Sequence, residues 1–466
     1  MAKPLWALDA TETAKLIRKK QISAKEAVDA HLARLDAVNP RINAVVRALH
    51  DEARAEADRA DQAFARGDVC GPLHGVPITT KINTDQKGQP TDNGVKLFKD
   101  LIAKEDAPPI GSLRRAGAIV IGRTNSPAFG MRAMTDNALH GLTLNPWRKD
   151  VTCGGSSGGA GASLAAGIGA LAQGNDIGGS IRWPSYCNGV AGLRPSVGRV
   201  PAFNATSTVP RAFAAQMMSV NGPMARSVRD LRCALRLMAE GDPRDPTWVP
   251  APLEMGPLRA PLDVAVAIDD ALPAPIRATM RRAASHLREA GYEIDEVSPP
   301  EIDRVADLWS DLAFSEIGSL LRPFIPATGD EDMGRFVEAL AEIKGTVDAA
   351  KYQAGLRERE ALLIKWQMFL DKYPLIILPS SAELALPADL DKQGVPAVKR
   401  LLAAMKYQIS LPVLGFPGLA VPMGTHEGLP MGVQIVSRRF REDLCLAAGE
   451  LIEFREAPVT PIDPTW

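Results

Sequence analysis

Only five of the 466 residues are cysteine and six are histidine, and neither type is grouped. Cys70, Cys153, Cys187, Cys233 and Cys445 are odd in number, widely separated and free of any C-x-x-C pair. A disulfide framework and a thiolate metal site are therefore without support, and buried thiols in a reducing, cytoplasmic compartment are expected. The dispersed histidines add no ligand spacing, so no metal is expected. A surplus of charge is missing as well: 54 Lys and Arg face 55 Asp and Glu, which leaves no general field to hold a polyanion such as nucleic acid. No run of about 18 apolar residues occurs, so no membrane span is expected. Met1–Lys20 never reaches the roughly 7–15 consecutive apolar residues of a secretory signal.

What is present is an ordinary globular composition, 46% hydrophobic and 23% charged, which excludes disorder for the bulk of the chain. Ser23-Ala-Lys-Glu26 reads as a capping box, Val28, Leu32 and Leu35 follow on one helical face, and Asn39-Pro40 is expected to stop that helix. The polar stretch Asn43–Arg66 reads as one exposed helix. Short apolar runs then alternate with helical patterns: Val76–Ile82, Ala118–Ile121, Leu262–Ile268, Leu375–Leu378 and Met431–Val436 predict strands of an α/β fold on a largely buried sheet. Gly241–Pro261 carries six prolines and is read as a connection. A helix is predicted near Ile276–Glu289, and residues 301–372 read as mostly helical, able to cover a pocket. Strand-like segments at both ends of the chain favour one domain over 1–466. Its parts are a helical N-terminal region (1–66), an α/β core (70–240), a mostly helical cover (262–372), and the rest of the core sheet with a final helix (373–466).

The informative stretch is Cys153–Arg194, where glycine is dense enough to imply close backbone approach, unusual dihedrals or presented N–H groups. Phosphate binding would need G-x-x-x-x-G-K-[ST] or G-x-G-x-x-G, and neither spacing occurs. Gly154-Gly-Ser156-Ser-Gly158 fits the nucleophile elbow G-x-S-x-G, with an overlapping register through Ser157. That reading needs a downstream histidine, and the two available, His286 and His426, both read as surface residues. The third reading concerns Asp176-Ile-Gly-Gly-Ser-Ile-Arg182. Here the N–H groups of Ile177, Gly178, Gly179 and Ser180 can converge beside the Ser180 hydroxyl as an oxyanion hole, with Asp176 and Arg182 bracketing the turn by opposite charge. A plain glycine-serine loop is the alternative.

These pieces recur together in one order. Gly71-Pro-Leu-His-Gly-Val-Pro-Ile-Thr-Thr-Lys81, Thr143-Leu-Asn-Pro-Trp147, the GGSSGG from Gly154, the NDIGGSIRWPS from Asn175 and the GLRPS from Gly192 resemble the amidase signature family. Pro374–Ser380, Gly415–Pro417, Leu419–Gly424 and Gly428–Gln434 extend the likeness over nearly the whole chain. The resemblance implies a large twisted mixed β-sheet covered on both faces by helices, amide hydrolysis without a cofactor, and a Ser-cisSer-Lys triad at Lys81, Ser156 and Ser180. Ser180 is the implied nucleophile and Ser156, rather than Ser157, the bridging serine. Asp176, Arg182 and Ser157 are expected to support the site.

The chemistry stands without the family. A serine hydroxyl needs a base, and a lysine with a pKa of about 10.4 cannot be one unless burial lowers it. Lys81 ends an apolar strand-like run, where burial is expected. Two positions read as departures from the family pattern, Asn83 after the lysine and Asn175 before the second cluster; both keep hydrogen-bonding capacity. By alignment with relatives, Gly130 and Met131 fall beside the substrate, although Met131 and Met134 read equally well as core filler. A monomer or homodimer acting on a small-molecule amide, without nucleic acid or membrane, is expected; anilides, aryl esters and carbamates share the same tetrahedral chemistry. Two rivals remain: the glutaminase-type A subunit of a tRNA-dependent amidotransferase, and a scaffold without turnover.

Overall fold

The computed structural model describes residues 3–255, 261–345, 347–464 and 466, so the last part of the Gly241–Pro261 connection, 256–260, lies outside the described residues. Eleven strands join one sheet. In chain order they are β1 (Val45–Ala48), β2 (Pro77–Lys81), β3 (Ile119–Thr124), β4 (Leu171–Asp176), β5 (Ala191–Arg194), β6 (Val220–Ala225), β7 (Asp263–Val266), β8 (Glu293–Glu296), β9 (Leu375–Pro379), β10 (Gly418–His426) and β11 (Leu429–Val436). Their order across the sheet is β1-β3-β2-β4-β6-β5-β10-β11-β9-β7-β8. The pairings are mixed: β3, β2 and β4 run parallel, β9, β7 and β8 run parallel, and the pairs between these groups are antiparallel.

Each of the five predicted strands is present. β2 is buried at every position, as a strand flanked on both sides within a covered sheet must be. Because β2 and β4 are parallel neighbours, their carboxyl ends lie on the same edge, which brings Lys81 towards Asn175 and Asp176. This is the edge where open α/β sheets place their ligands.

Two expectations are corrected. The helix with the Ser23–Glu26 capping box runs Ala24–Ile42, straight through Pro40. Pro40 has no N–H to donate to the Asp36 carbonyl, yet the helix continues past it to Ile42, and the real terminator is Asn43, left-handed at φ 50°, with its N–H donating to Asn39 O. Asn39 Oδ1 meanwhile accepts from Ala44 N and Val45 N, both at 2.9 Å, turning the chain outward. The stretch 43–66 is consequently not one helix. β1 comes first, antiparallel to β3 with Val45 opposite Thr124, and only then the helix His50–Ala65.

The cover region is helical, with Ile302–Ala313, Glu331–Lys344 and Ala349–Lys372 its main helices. Glycine density in the centre has a packing cause. The helix Gly158–Ala165 is buried throughout, and a Cβ on Gly159 would stand 2.4 Å from Asn125 N.

Candidate active site

Three segments converge at the shared edge of β2 and β4. Lys81 closes β2 and is fully buried. Ser156 and Ser157 lie in the turn before the helix Gly158–Ala165, with a cis peptide between Gly155 and Ser156. Thr135 pins that turn, donating to Gly154 O at 2.8 Å and accepting from Gly158 N at 3.1 Å. Asn175 and Asp176 end β4, and the 177–181 turn leads into the helix Arg182–Asn188.

The Lys81 amine sits 2.7 Å from Ser156 Oγ, 3.1 Å from Ser157 Oγ and 2.7 Å from Asn175 Oδ1. Burial pushes it from the ordinary 10.5 down to about 7, with Asp176 pulling the other way. An amine in that state can take a proton from a serine hydroxyl at neutral pH. Ser157 N donates to Ser180 O at 3.2 Å, which ties the two serine turns together. Ser180 is the most open of the three residues, at 8% exposure against 2% for Ser156 and none for Lys81. Among the described residues the Ser180 hydroxyl makes no hydrogen bond, and the contact between the two serine turns is the backbone one from Ser157 N to Ser180 O.

Asp176 and Arg182 bracket the turn as expected, and both are fully buried. Arg182 is bidentate, Nε to Oδ2 and Nη2 to Oδ1, both at 3.0 Å. A third member escaped sequence reasoning: Arg194 Nη1 donates to Asp176 O at 2.6 Å and to Oδ1 at 3.2 Å. Desolvation would raise the Asp176 carboxyl, but the two guanidiniums outweigh it and hold the carboxyl well below the usual carboxylate range.

The expected set of four converging amides needs one correction. Gly179, at φ 102°, turns its N–H back to Asp176 Oδ1 at 2.9 Å, so that donor is already engaged. Among the described residues the amides of Ile177, Gly178 and Ser180 have no hydrogen-bond acceptor. Trp309, in the cover helix Ile302–Ala313, roofs this turn: its Nε1 donates to Ile177 O at 2.6 Å, and a Cβ on Gly178 would stand 2.6 Å from its ring. Nothing local in the sequence marks Trp309, which reaches the turn from a distant segment.

Gly130 lies against the site, since a Cβ there would stand 3.2 Å from Ser156 Oγ. Met131 packs with Phe98, Phe129 and Ile325 against a small apolar cluster, and Met134 is buried in the main core. The elbow reading loses its histidines. His286 is half-buried and bonded to Glu456 at 2.8 Å, and His426 lies beside Glu427; neither is bonded to Ser156. Among the described residues no cluster of three or more His, Cys, Asp or Glu could hold a metal ion, and no helix is long and apolar enough to cross a membrane.

Known proteins resemble this chain along nearly its whole length. The amidase family model matches residues 26–446. An indoleacetamide hydrolase of Bradyrhizobium diazoefficiens is 45% identical over 97% of this chain and 87% of its own length. The A subunit of glutamyl-tRNA(Gln) amidotransferase from Moorella thermoacetica is 30% identical over 96% of each chain. The crystal structure of a bacterial aryl acylamidase of the amidase signature enzymes superposes with a TM-score of 0.81 at 26% identity, covering 98% of this chain and 97% of that one. The chain belongs to the amidase signature family. It is a hydrolase of amide C–N bonds.

Proposed function

We propose that this protein hydrolyses an aromatic carboxamide of the indoleacetamide type, releasing the carboxylic acid and ammonia through a seryl acyl-enzyme. The observation that carries the mechanism is the fully buried Lys81 amine, 2.7 Å from Ser156 Oγ and titrating near neutrality. The substrate class rests on the 45% identity to the indoleacetamide hydrolase.

In this reading Ser180 Oγ attacks the amide carbonyl as its proton passes to Ser156 and the Ser156 proton passes to neutral Lys81. The amides of Ile177, Gly178 and Ser180 receive the negative charge that develops on the carbonyl oxygen. Lys81 and Ser156 then return a proton to the leaving nitrogen, the C–N bond breaks and ammonia departs. Water attacks the Ser180 ester, losing its proton along the same relay, and the acid leaves. Gly130 gives the scissile group room beside Ser156. Anilides, aryl esters and carbamates enter the same cycle with a different leaving group. The enzyme works alone, as a monomer or homodimer, on a small molecule in the cytoplasm; its five free thiols suit that compartment.

A fluorophosphonate probe tests this directly. Adduct mapping is expected to place the label on Ser180, with labelling abolished in Lys81→Ala, and ammonia release is expected from indoleacetamide. A label on Ser156 that survives Lys81→Ala would overturn the mechanism. Turnover of glutamine only in the presence of amidotransferase partner chains would overturn the substrate class. A protein that neither labels nor turns over would be the scaffold.

A further inference from the structure

We propose that Asn83 and Asn175 act as a coupled pair of neutral positioning residues for Lys81, aiming the amine's lone pair at Ser156 and keeping any carboxylate out of its contact shell. This rests on the reading of Lys81 as the base. The two residues lie 92 positions apart, yet Asn175 Nδ2 donates to Asn83 Oδ1 at 2.8 Å.

A proton inventory around the amine gives the direction. Neutral Lys81 has two N–H bonds and one lone pair, and three oxygens surround it. Asn175 Oδ1 carries no hydrogen, so at 2.7 Å it can only accept. Ser157 Oγ donates its own hydrogen to Asn175 O at 3.4 Å, so towards the amine, 3.1 Å away, it too accepts. Both N–H bonds are thereby spent, and the lone pair is left facing Ser156 Oγ at 2.7 Å. Asn83 holds the chain in this sense. Flipping Asn175 would set its NH2 against the amine and its oxygen against Asn83 Oδ1. Asn83 itself is anchored, its backbone carbonyl accepting from Asn204 Nδ2 at 3.0 Å while Asn204 Oδ1 accepts from Asp85 N at 3.0 Å.

The charged groups on neighbouring elements are all engaged elsewhere. Asp176 of β4 is taken by Arg182 and Arg194. Arg123 of β3 serves Thr80, Gln86 and the Thr84 carbonyl. Asp85, in the loop after β2, accepts from Thr91 and Thr206. Arg132, in the loop carrying Gly130, is bidentate to Asp391. The helix Gly158–Ala165 contributes no titratable side chain. A carboxylate at 175 would therefore be the first anion in direct contact with the amine, and it would favour the ammonium form.

The test compares pH profiles of kcat/KM, and of the rate of fluorophosphonate labelling, for the wild-type chain, Asn175→Asp, Asn83→Asp and Asn175→Ser. In Asn175→Asp the acid limb is expected to move at least one pH unit alkaline, a loss of about fivefold or more at pH 7 that is recovered by raising the pH. Asn83→Asp is expected to move it in the same direction by less. Asn175→Ser is expected to lower the rate without that displacement. A merely structural pair would lower activity at every pH with the limb in place. A folded Asn175→Asp whose limb superimposes on wild type overturns the proposal, and if that variant does not fold, an unmoved limb in Asn83→Asp overturns it. Absence of a Ser180 adduct in the wild type would instead bring down the underlying reading of the site, and this proposal with it.

Discussion

Two buried ionisable clusters share the end of β4 and resolve the same difficulty in opposite ways. Asn175 and Asp176 are consecutive, so their side chains leave the strand towards opposite faces. On one face Asp176 meets Arg182 and Arg194, and charge is matched by charge. On the other, Asn175 meets Lys81, whose contacts are two hydroxyls and a carboxamide, all neutral. A buried charge must either be paired or give up its ionisation. The paired face ties the 177–181 turn to Arg182 and Arg194, and the unpaired face leaves an amine that burial pushes down to about 7. One step of strand alternation separates a paired carboxylate from an unpaired amine.

The largest effect is expected from removing the unpaired amine. Lys81→Met should lower kcat/KM on an amide by about a thousandfold, within the range of a lost general base. It should also stabilise the fold. The folded amine titrates near 7 against an ordinary 10.5, so folding strips a proton, and that cost grows as pH falls from 10.5 to 7. Urea unfolding across this range should show the variant gaining on the wild type as the pH drops. The wild-type rate should rise through about pH 7 as the neutral amine accumulates.

The paired face should break differently. Asp176→Asn leaves Arg182 and Arg194 buried without their carboxylate, and loss of one partner from a buried pair costs about 3–5 kcal/mol. Unfolding midpoints should fall by the same amount at every pH well above 3.8, whereas Lys81→Met produces a gain that changes between pH 7 and 10.5. If the two variants lost stability alike, the distinction between the clusters would be gone.

This division also governs what the sequence could reveal. β2, β3, β7, β9 and β11 were legible because covered strands carry runs of branched apolar residues. β4, β6 and β10 were not, since LAQGND, VNGPMA and GLAVPMGTH are punctuated by the polar, glycine and proline residues that the site and its surroundings require. The proposed triad of Lys81, Ser156 and Ser180 is read from the order of motifs, and the burial of Lys81 was legible in the strand it ends. The pairing of Arg194 with Asp176, the roof of Trp309 and the Asn83–Asn175 contact depend on sheet topology and on packing between remote segments. No local pattern encodes these contacts. The turning away of the Gly179 amide was equally invisible, because the glycine spacing fits either orientation.

The cover region offers a sharper probe of the turn. Gly178→Ala sets a methyl 2.6 Å from the Trp309 ring, an overlap that cannot stand without movement. Overpacking of this kind costs about 1–3 kcal/mol. The activity loss should exceed the stability loss, because the displaced turn carries the three unengaged amides. Trp309→Phe combined with Gly178→Ala should recover part of the rate, and a double variant no faster than the single one would show that the indole is not the obstruction.

The smallest expected effect extends the contrast to a carboxylate. Glu453, in the helix Glu442–Arg455, has no cation bonded to it among the described residues; it accepts from Val228 N at 2.9 and 3.1 Å. Burial, with Asp9, Asp230 and Glu450 nearby, pushes its carboxyl up to about 7. It is thus the acidic counterpart of Lys81, a half-buried group that sheds its charge for want of a cation. Because the folded state keeps a proton that the unfolded chain loses from 4.5 upward, wild-type stability declines as pH rises from 4.5 through 7. Glu453→Gln keeps the acceptor for Val228 and does not titrate. Its advantage over wild type should be absent near pH 4 and grow to about 1–2 kcal/mol by pH 8, discounted for partial exposure, as measured by urea unfolding at the two pH values. A constant difference across that range would mean that Glu453 finds a cation in solution, and the parallel with Lys81 would fail.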